Sequence, residues 1–182
     1  MEITKSFTET KMLKKAIIIL AGSAFLTLSA KIQTPLTPVP ATMQTFAVLF
    51  LGMAIGPKLA VASVVVYLFE GLVGLPVFAK GGGIIYFTGP TSGYLFGFLL
   101  GAFFSGYVKS RFDPIITFAY LLFSVSFIYI FGLIWLWSFK GFTTSFNEIF
   151  VLGAKPFLII ELYKLLILSV LSKQIFLLRK FI

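Results

Sequence analysis

The segment from Pro114 to Phe139 contains no charged residue, and this feature limits the possible folds of the chain more than any other. As a helix it would be about 39 Å long, which exceeds the bilayer's hydrocarbon thickness of about 30 Å. The whole chain is 59% hydrophobic and 12% charged, with a mean hydropathy of +1.04. Soluble domains do not have this composition. We therefore expect an all-α integral membrane protein with a single domain.

Apolar runs of similar character predict six transmembrane helices. The runs cover approximately Ala16 to Ala30, Met43 to Gly56, Leu59 to Ala79, Ser92 to Val108, Pro114 to Phe139 and Pro156 to Leu171. Between them, the segment GGGIIYFTGPTSG from Gly81 to Gly93 is too rich in glycine for a straight helix that faces lipid. We interpret it as a loop. No A-x-A-like cleavage site follows the first run, so we expect that run to be retained as a helix.

The lysines and arginines predict how these helices are oriented, because cytoplasmic loops carry an excess of them. With the N-terminus inside, ten basic residues fall on the inner side: Lys5, Lys11, Lys14, Lys15, Lys58, Lys109, Arg111, Lys173, Arg179 and Lys180. Four fall on the outer side: Lys31, Lys80, Lys140 and Lys155. Both termini are therefore predicted to be cytoplasmic. The proline-rich stretch TPLTPVP, the triple-glycine loop and the loop before Pro156 then share the outer face, which favours a ligand pocket open to the outside.

Missing residue types exclude several classes of function. The chain has no cysteine and no histidine, so it lacks thiolate ligands, disulfides and the commonest general base. No phosphate-binding loop motif is present. We expect no metal site, no cofactor and no catalytic residue, hence no enzyme. The net charge of +9 does not indicate a nucleic-acid partner, because the basic residues flank apolar segments.

Two ionisable residues lie within the sixth apolar run, where a charge is costly and calls for a reason. Glu161 and Lys164 are three positions apart and so share one helix face. They could form a structural ion pair that fixes the helix against its neighbours. They could instead bind a small, polar, anionic ligand, with the ammonium neutralising a carboxylate and the carboxylate accepting from N–H groups.

Other candidates are less specific. Glu70, near the middle of the third run, could be a partner of Lys164, a ligand contact or a protonated and merely tolerated carboxyl. Gln44 could contact a ligand or simply begin a helix, and Thr42 or Thr45 could equally be a helix cap. Tyr86 and Tyr94 flank the glycine-rich loop and could form the walls of a pocket.

Several blocks of the sequence together resemble one family. They are PVPATMQTFAV, then GPK, then GLPVF followed by glycines, then GPTSGYLFGF, and they cover about Pro35 to Gly106 in order. The pattern is similar to that of the BioY family, the biotin-binding S components of energy-coupling factor transporters. More loosely, PFLIIELYK from Pro156 to Lys164 matches the family's block that ends in an acid and a lysine. Glutamate stands there where the family usually has aspartate.

The resemblance implies a six-helix protein of the bacterial cytoplasmic membrane that captures biotin from outside. Its implied binding residues are Gln44, Thr45, Phe78, Tyr86, Tyr94, Glu161 and Lys164. The implied partners are a transmembrane coupling protein and two ATPases, although some members are thought to act alone. The proline-rich loop would be a ligand cap, held in few conformations by its prolines.

Three other functions remain open on the sequence. The chain could be an S component for another vitamin, such as thiamin or riboflavin. It could be a small intramembrane enzyme that uses Glu161 or Glu70 as an acid or base. It could also be a purely structural membrane subunit.

Overall fold

A computed structural model describes residues 2–34 and 39–179, with side chains from residue 10 onward. Within these ranges the chain is helical apart from loops and one short ribbon. The helices are α1 (Glu2–Lys31), α2 (Gln44–Leu72), α3 (Ile84–Phe87), α4 (Ser92–Ser105), α5 (Pro114–Phe139), α6 (Phe146–Gly153), α7 (Leu158–Val170) and α8 (Ser172–Leu178). The ribbon pairs β1 (Gln33–Thr34) with β2 (Ala41–Thr42) in antiparallel fashion. The predicted all-α class is confirmed, and residues 35–38 of the proline-rich loop lie outside the described residues.

Helix α2 is bent back on itself at Gly56. Gly56 has φ 80° and ψ 168°, and Pro57 follows it without an N–H to continue the helical ladder. As a result the Gln44 side chain reaches the Tyr67 hydroxyl at 2.6 Å. In a straight helix these two residues would be about 34 Å apart. We call residues 44–55 the first arm and 57–72 the second arm; the predicted second and third runs correspond to them.

The bounds of α5 agree with the sequence, whereas the third predicted run is too long. Helix α5 begins after Asp113, whose carboxylate accepts from the Ile116 N–H at 2.7 Å as an N-cap. The second arm of α2 ends at Leu72 and does not continue to residue 79. Gly74 has φ 99° there, and Pro76 follows two residues later, so a helix cannot continue.

The sixth predicted run begins with a 3₁₀ turn, Lys155–Phe157, and continues as α7, with α8 directly after it. Helix α6 was not predicted. Its sequence signal is the pair Ser145 and Glu148, where the Ser145 hydroxyl accepts from the Glu148 N–H at 3.3 Å. A serine followed three residues later by glutamate is a typical start of a helix. Helix α3 likewise lies within the segment that we interpreted as a loop.

The helices pack closely around α2 and α4. A Cβ on Gly97 of α4 would lie 2.7 Å from the Ile128 Cα of α5, so only glycine permits this approach. The core between the helices includes fully buried Leu26, Tyr67 and Leu165. The bundle thus has a continuous apolar interior.

The outer surface of the bundle is also apolar, as a lipid environment requires. Ile115, Val170 and Phe69 have exposed fractions of 80%, 65% and 62%. Three helical segments are long and apolar enough to cross a membrane, namely Thr10–Lys31, Gln44–Leu72 and Pro114–Phe139, and Ser92–Ser105 is a shorter apolar helix. These features indicate a membrane protein. The count of six spans and the orientation stay predictions.

Candidate ligand site

A cavity lies where the beginnings of α2, α4 and α7 meet the second half of α5. Residues 39–42, which lead through β2 into α2, form one of its sides. The space amounts to about 570 Å³ with its open mouth included. Its walls are formed by Val39, Pro40, Ala41, Thr42, Gln44, Thr45, Tyr86, Thr91, Tyr94, Leu95, Phe98, Tyr129, Phe157, Ile160, Glu161 and Lys164. We call this end of the bundle the cavity end.

The predicted pair of Glu161 and Lys164 is present and buried in the cavity wall. The exposed fractions of these residues are 5% and 6%, and Lys164 Nζ lies 3.3 Å from Glu161 Oε2. Lys164 Nζ also donates to the Thr42 carbonyl at 2.7 Å and to Thr45 Oγ1 at 2.9 Å. An ammonium group has three N–H donors, and here each has an acceptor. Lys164 therefore holds the segment before α2 against α7.

Glu161 is satisfied on one oxygen only. Its Oε2 accepts from Lys164 and, at 3.1 Å, from the Tyr129 hydroxyl. Its Oε1 is buried and has no hydrogen-bond partner among the described residues. Leaving a buried acceptor unpaired costs roughly 1–3 kcal/mol, and more when it is charged. A ligand that brings an N–H donor into the cavity would remove this cost, which favours the ligand-site interpretation over a purely structural pair.

Gln44 is buried in the wall and belongs to a chain of hydrogen bonds. Its Oε1 accepts from Thr42 Oγ1 at 3.0 Å, and its Nε2 donates to the Tyr67 hydroxyl at 2.6 Å. Tyr67 in turn donates to the Val77 carbonyl at 3.3 Å. The backbone N–H of Gln44 donates to Thr42 Oγ1 at 3.2 Å, so Thr42, and not Thr45, carries the cap-like bond. Gln44 therefore both begins the helix and lines the cavity.

Aromatic rings form the remaining walls. The Tyr94 hydroxyl donates to the Gly153 carbonyl at 2.7 Å, and its ring is perpendicular to that of Tyr129, with 6.0 Å between centroids. Tyr86 lines the cavity from the α3 side, and burial raises the pKa of its phenol above the ordinary value. Phe78 is fully buried behind Tyr86, 4.6 Å away between ring centroids, and does not line the cavity.

The structure thus brings six of the seven predicted binding residues together around one cavity. Tyr129 is the main residue that the sequence reasoning missed. It lies in the uncharged run of α5, where a tyrosine is indistinguishable from packing or interface aromatics. No sequence signal would have identified it without knowing that it faces Glu161.

Glu70 lies outside the site. It accepts a hydrogen bond from the Ser23 hydroxyl of α1, so it joins α1 to the second arm of α2. It is therefore not the partner of Lys164. Within residues 10–34 and 39–179, no group of three acidic, histidine or cysteine side chains could hold a metal ion.

The sequence profile of the BioY family matches residues 3–180. The chain belongs to the BioY family. The resemblance seen in the sequence blocks is thereby confirmed.

Individual BioY relatives cover most of the chain. A protein of Pyrococcus horikoshii named "Probable biotin transporter BioY" is 34% identical over 152 residues, which are 83% of this chain and 89% of that protein. The "Biotin transporter BioY" of Thermotoga maritima is 34% identical over 158 residues, covering 84% and 90%.

One solved structure has the same fold. It is described as the crystal structure of the S-component for biotin from an ECF-type ABC transporter. The TM-score is 0.77 at 23% sequence identity, and the alignment covers 91% of this chain and 92% of that one. The BioY chain therefore shares the S-component fold.

Proposed function

We propose that this chain binds biotin with high affinity and carries out its uptake across the cytoplasmic membrane as the substrate-specific component of an energy-coupling factor transporter. The observation that carries the proposal is Glu161 of a BioY-family chain, which lines an aromatic cavity and has one buried carboxylate oxygen without a hydrogen-bond partner among the described residues. The names of its relatives as biotin transporters support it.

The chemistry of biotin fits this cavity. Biotin has an apolar ring body, a ureido group with N–H donors and a carboxylate. The ureido N–H groups are the donors that Glu161 Oε1 requires, whereas the ionised biotin carboxylate has none to offer. The rings of Tyr94, Tyr129 and Phe98 would cover the apolar body. When biotin binds, the Lys164 ammonium would give up a hydrogen bond to one of its three protein acceptors and donate to the ligand instead.

We propose six membrane spans: α1, the two arms of α2, then α4, α5 and α7. The bend at Gly56 supports counting the arms separately. Both termini would be cytoplasmic and the cavity would open outward, which the distribution of basic residues supports. A transmembrane coupling protein and two ATPases would drive release inside, unless the chain acts alone.

The binding test uses the purified chain with labelled biotin. We expect saturable, tight binding that Glu161→Gln weakens by roughly 10- to 100-fold, as removal of a charged hydrogen-bond partner does. Lys164→Met should weaken it as well. The matched controls are Glu148→Gln and Lys140→Met, because both side chains are exposed outside the cavity. Absence of saturable binding, or equal binding by all four variants, would overturn the proposal.

Competition separates biotin from other vitamins. Unlabelled biotin should displace the label, whereas thiamin and riboflavin should not. Displacement by either vitamin at a lower concentration than biotin would make the chain an S component for that vitamin. Chemical conversion of bound biotin by the purified chain would instead revive the enzyme interpretation.

The topology test uses the absence of native cysteine, which makes single-cysteine variants specific reporters. A membrane-impermeant thiol reagent applied to intact cells should label Thr143→Cys and leave Ser110→Cys unlabelled. Both positions are exposed in the structure. The reverse pattern would invert the proposed orientation, and labelling of both or neither would contradict an odd number of spans between them.

A further inference from the structure

A second open pocket lies at the end of the bundle opposite the cavity. It is formed where the bend of α2, the end of α4, the segment after α4 and α8 meet. Helix α4 begins at the cavity with Tyr94 and ends beside the bend, where a Cβ on Gly106 would come within 2.5 Å of Pro57. The space there amounts to about 1320 Å³, which includes open solvent at its wide mouth. We call this end of the bundle the basic end.

The polar side chains of this pocket are three cations and the hydroxyls of Tyr107 and Ser110. Lys109, Ser110 and Lys173 are exposed at its rim, and Arg179 is half-buried in its floor. Among the described side chains, no acidic residue forms an ion pair with any of these cations. The acid nearest in sequence, Asp113, uses its Oδ1 to cap α5. Within residues 10–34 and 39–179, the pocket therefore carries positive charge that no ion pair neutralises.

Arg179 is fixed in place by the bend. In a regular helix the Met53 carbonyl would accept from the N–H of residue 57, but that residue is proline and has none. Arg179 Nε donates to this carbonyl at 2.6 Å, and Nη2 donates to the carbonyls of Gly52 at 3.0 Å and Gly106 at 2.8 Å. The other terminal nitrogen has no hydrogen-bond partner within the described residues. The guanidinium is thus a rigid positive group in the pocket.

We propose that this pocket binds the phosphate of an anionic phospholipid headgroup. Two flexible ammonium groups, two hydroxyls and a fixed guanidinium are suitable donors for a phosphate. The remaining walls include Leu177, which is 51% exposed and offers apolar surface where the lipid's chains would begin. The pocket lies at the end of an apolar bundle, where headgroups are found, and basic pockets between helices at this depth suit anionic lipids. This inference does not depend on which small molecule occupies the cavity end.

The test compares pocket lysines with matched lysines at the cavity end. Short-chain phosphatidylglycerol is titrated into the purified chain in neutral detergent, and bound lipid is counted by native mass spectrometry. The pocket variant is Lys109→Gln with Lys173→Gln; Arg179 is kept because it bonds to the backbone. The control is Lys140→Gln with Lys155→Gln, since both are exposed lysines at the other end. We expect the pocket variant to bind phosphatidylglycerol about tenfold more weakly and the control variant to bind it unchanged.

Two competition measurements separate an anionic lipid from a zwitterionic lipid and from a soluble anion. Phosphatidylcholine should not compete, and inorganic phosphate at matched ionic strength should not displace the bound lipid. Displacement by inorganic phosphate at equal concentration would mean that the pocket binds a soluble phosphate and not a lipid headgroup. Equal weakening in the pocket and control variants would show general attraction to negative charge and would overturn the site. Biotin binding is measured on the same samples. A variant that has lost lipid binding because it is misfolded would also lose biotin binding and is thereby recognised.

Discussion

The two ends of the bundle use charge in opposite ways. At the cavity end, Glu161 and Lys164 are buried, bonded to each other and to protein groups around them. At the basic end, Lys109 and Lys173 are exposed, and no acid within the described side chains pairs with them. The first arrangement organises the protein's own interior, and the second leaves positive charge for something outside the chain.

This difference follows from the surroundings of each charge. A charge inside a low-dielectric bundle must be paired and hydrogen-bonded, or it destabilises the fold. A charge exposed at the end of the bundle remains hydrated and contributes little to folding. We therefore expect substitutions of buried charges to affect stability strongly, and substitutions of exposed lysines to affect external interactions only.

The largest effect is expected for Lys164→Met. This change removes the ammonium and leaves Glu161 as a buried carboxylate without its cation, which costs about 3–5 kcal/mol in comparable pairs. The double variant Lys164→Met with Glu161→Gln removes both charges and should recover a large part of the lost stability. The stability of the single and the double variant is measured by thermal unfolding in neutral detergent without biotin. If the double variant is no more stable than the single one, the buried pair is not the reason for the loss.

The second largest effect is expected for Arg179→Gln, which should lower the free energy of unfolding by about 2 kcal/mol. The loss would come from the three backbone carbonyls at the bend and at the end of α4, which would lose a charged donor. Arg179→Lys should lose less, because an ammonium can still reach part of this set. Lys173→Gln, near the start of α8, serves as the control and should unfold at the wild-type temperature. Equal stability of Arg179→Gln and the wild type would show that water satisfies these carbonyls as well as the guanidinium does.

A smaller effect on ligand affinity is expected for Tyr129→Phe. The substitution removes one donor to Glu161 Oε2 and keeps the ring, so we expect biotin binding to weaken about fivefold, equivalent to about 1 kcal/mol. Tyr120→Phe on the same helix is the matched control, because Tyr120 does not line the cavity. Unchanged affinity in Tyr129→Phe would mean that Lys164 alone orients the carboxylate.

The sequence predicted the features that depend on composition and local pattern. The uncharged run from Pro114 to Phe139 predicted α5 with its observed bounds. The break between the second and third runs at Gly56 and Pro57 was also predicted. Two spans joined on the inner side at Lys58 also predicted the reversal of direction there. The surfaces that the two arms bury against the other helices were not derivable from the residues alone. The same limit applies to Phe78, which was expected in the site and lies behind Tyr86.

The polar residues of the site show most clearly which features the sequence can predict and which depend on the tertiary fold. Burial costs singled out Glu161 and Lys164 from the sequence, because a charged residue in an apolar run is costly unless it has a role. Tyr129 had no such signal, since a phenol is tolerated in many membrane positions. Its role depends on a contact between α5 and α7, which are brought together only by the tertiary fold.

The smallest effect is expected for Lys109→Gln, and it tests the basic end of the comparison. The side chain is exposed and forms no ion pair among the described residues, so its removal should change the free energy of unfolding by less than about 0.5 kcal/mol in neutral detergent. In phosphatidylglycerol nanodiscs the same variant should lose part of the stabilisation that the lipid gives the wild type, because a ligand that binds only the folded state stabilises it. Thermal unfolding in both media supplies the comparison. A large loss in neutral detergent would mean that Lys109 supports the fold itself, and the contrast between the two ends of the bundle would then fail.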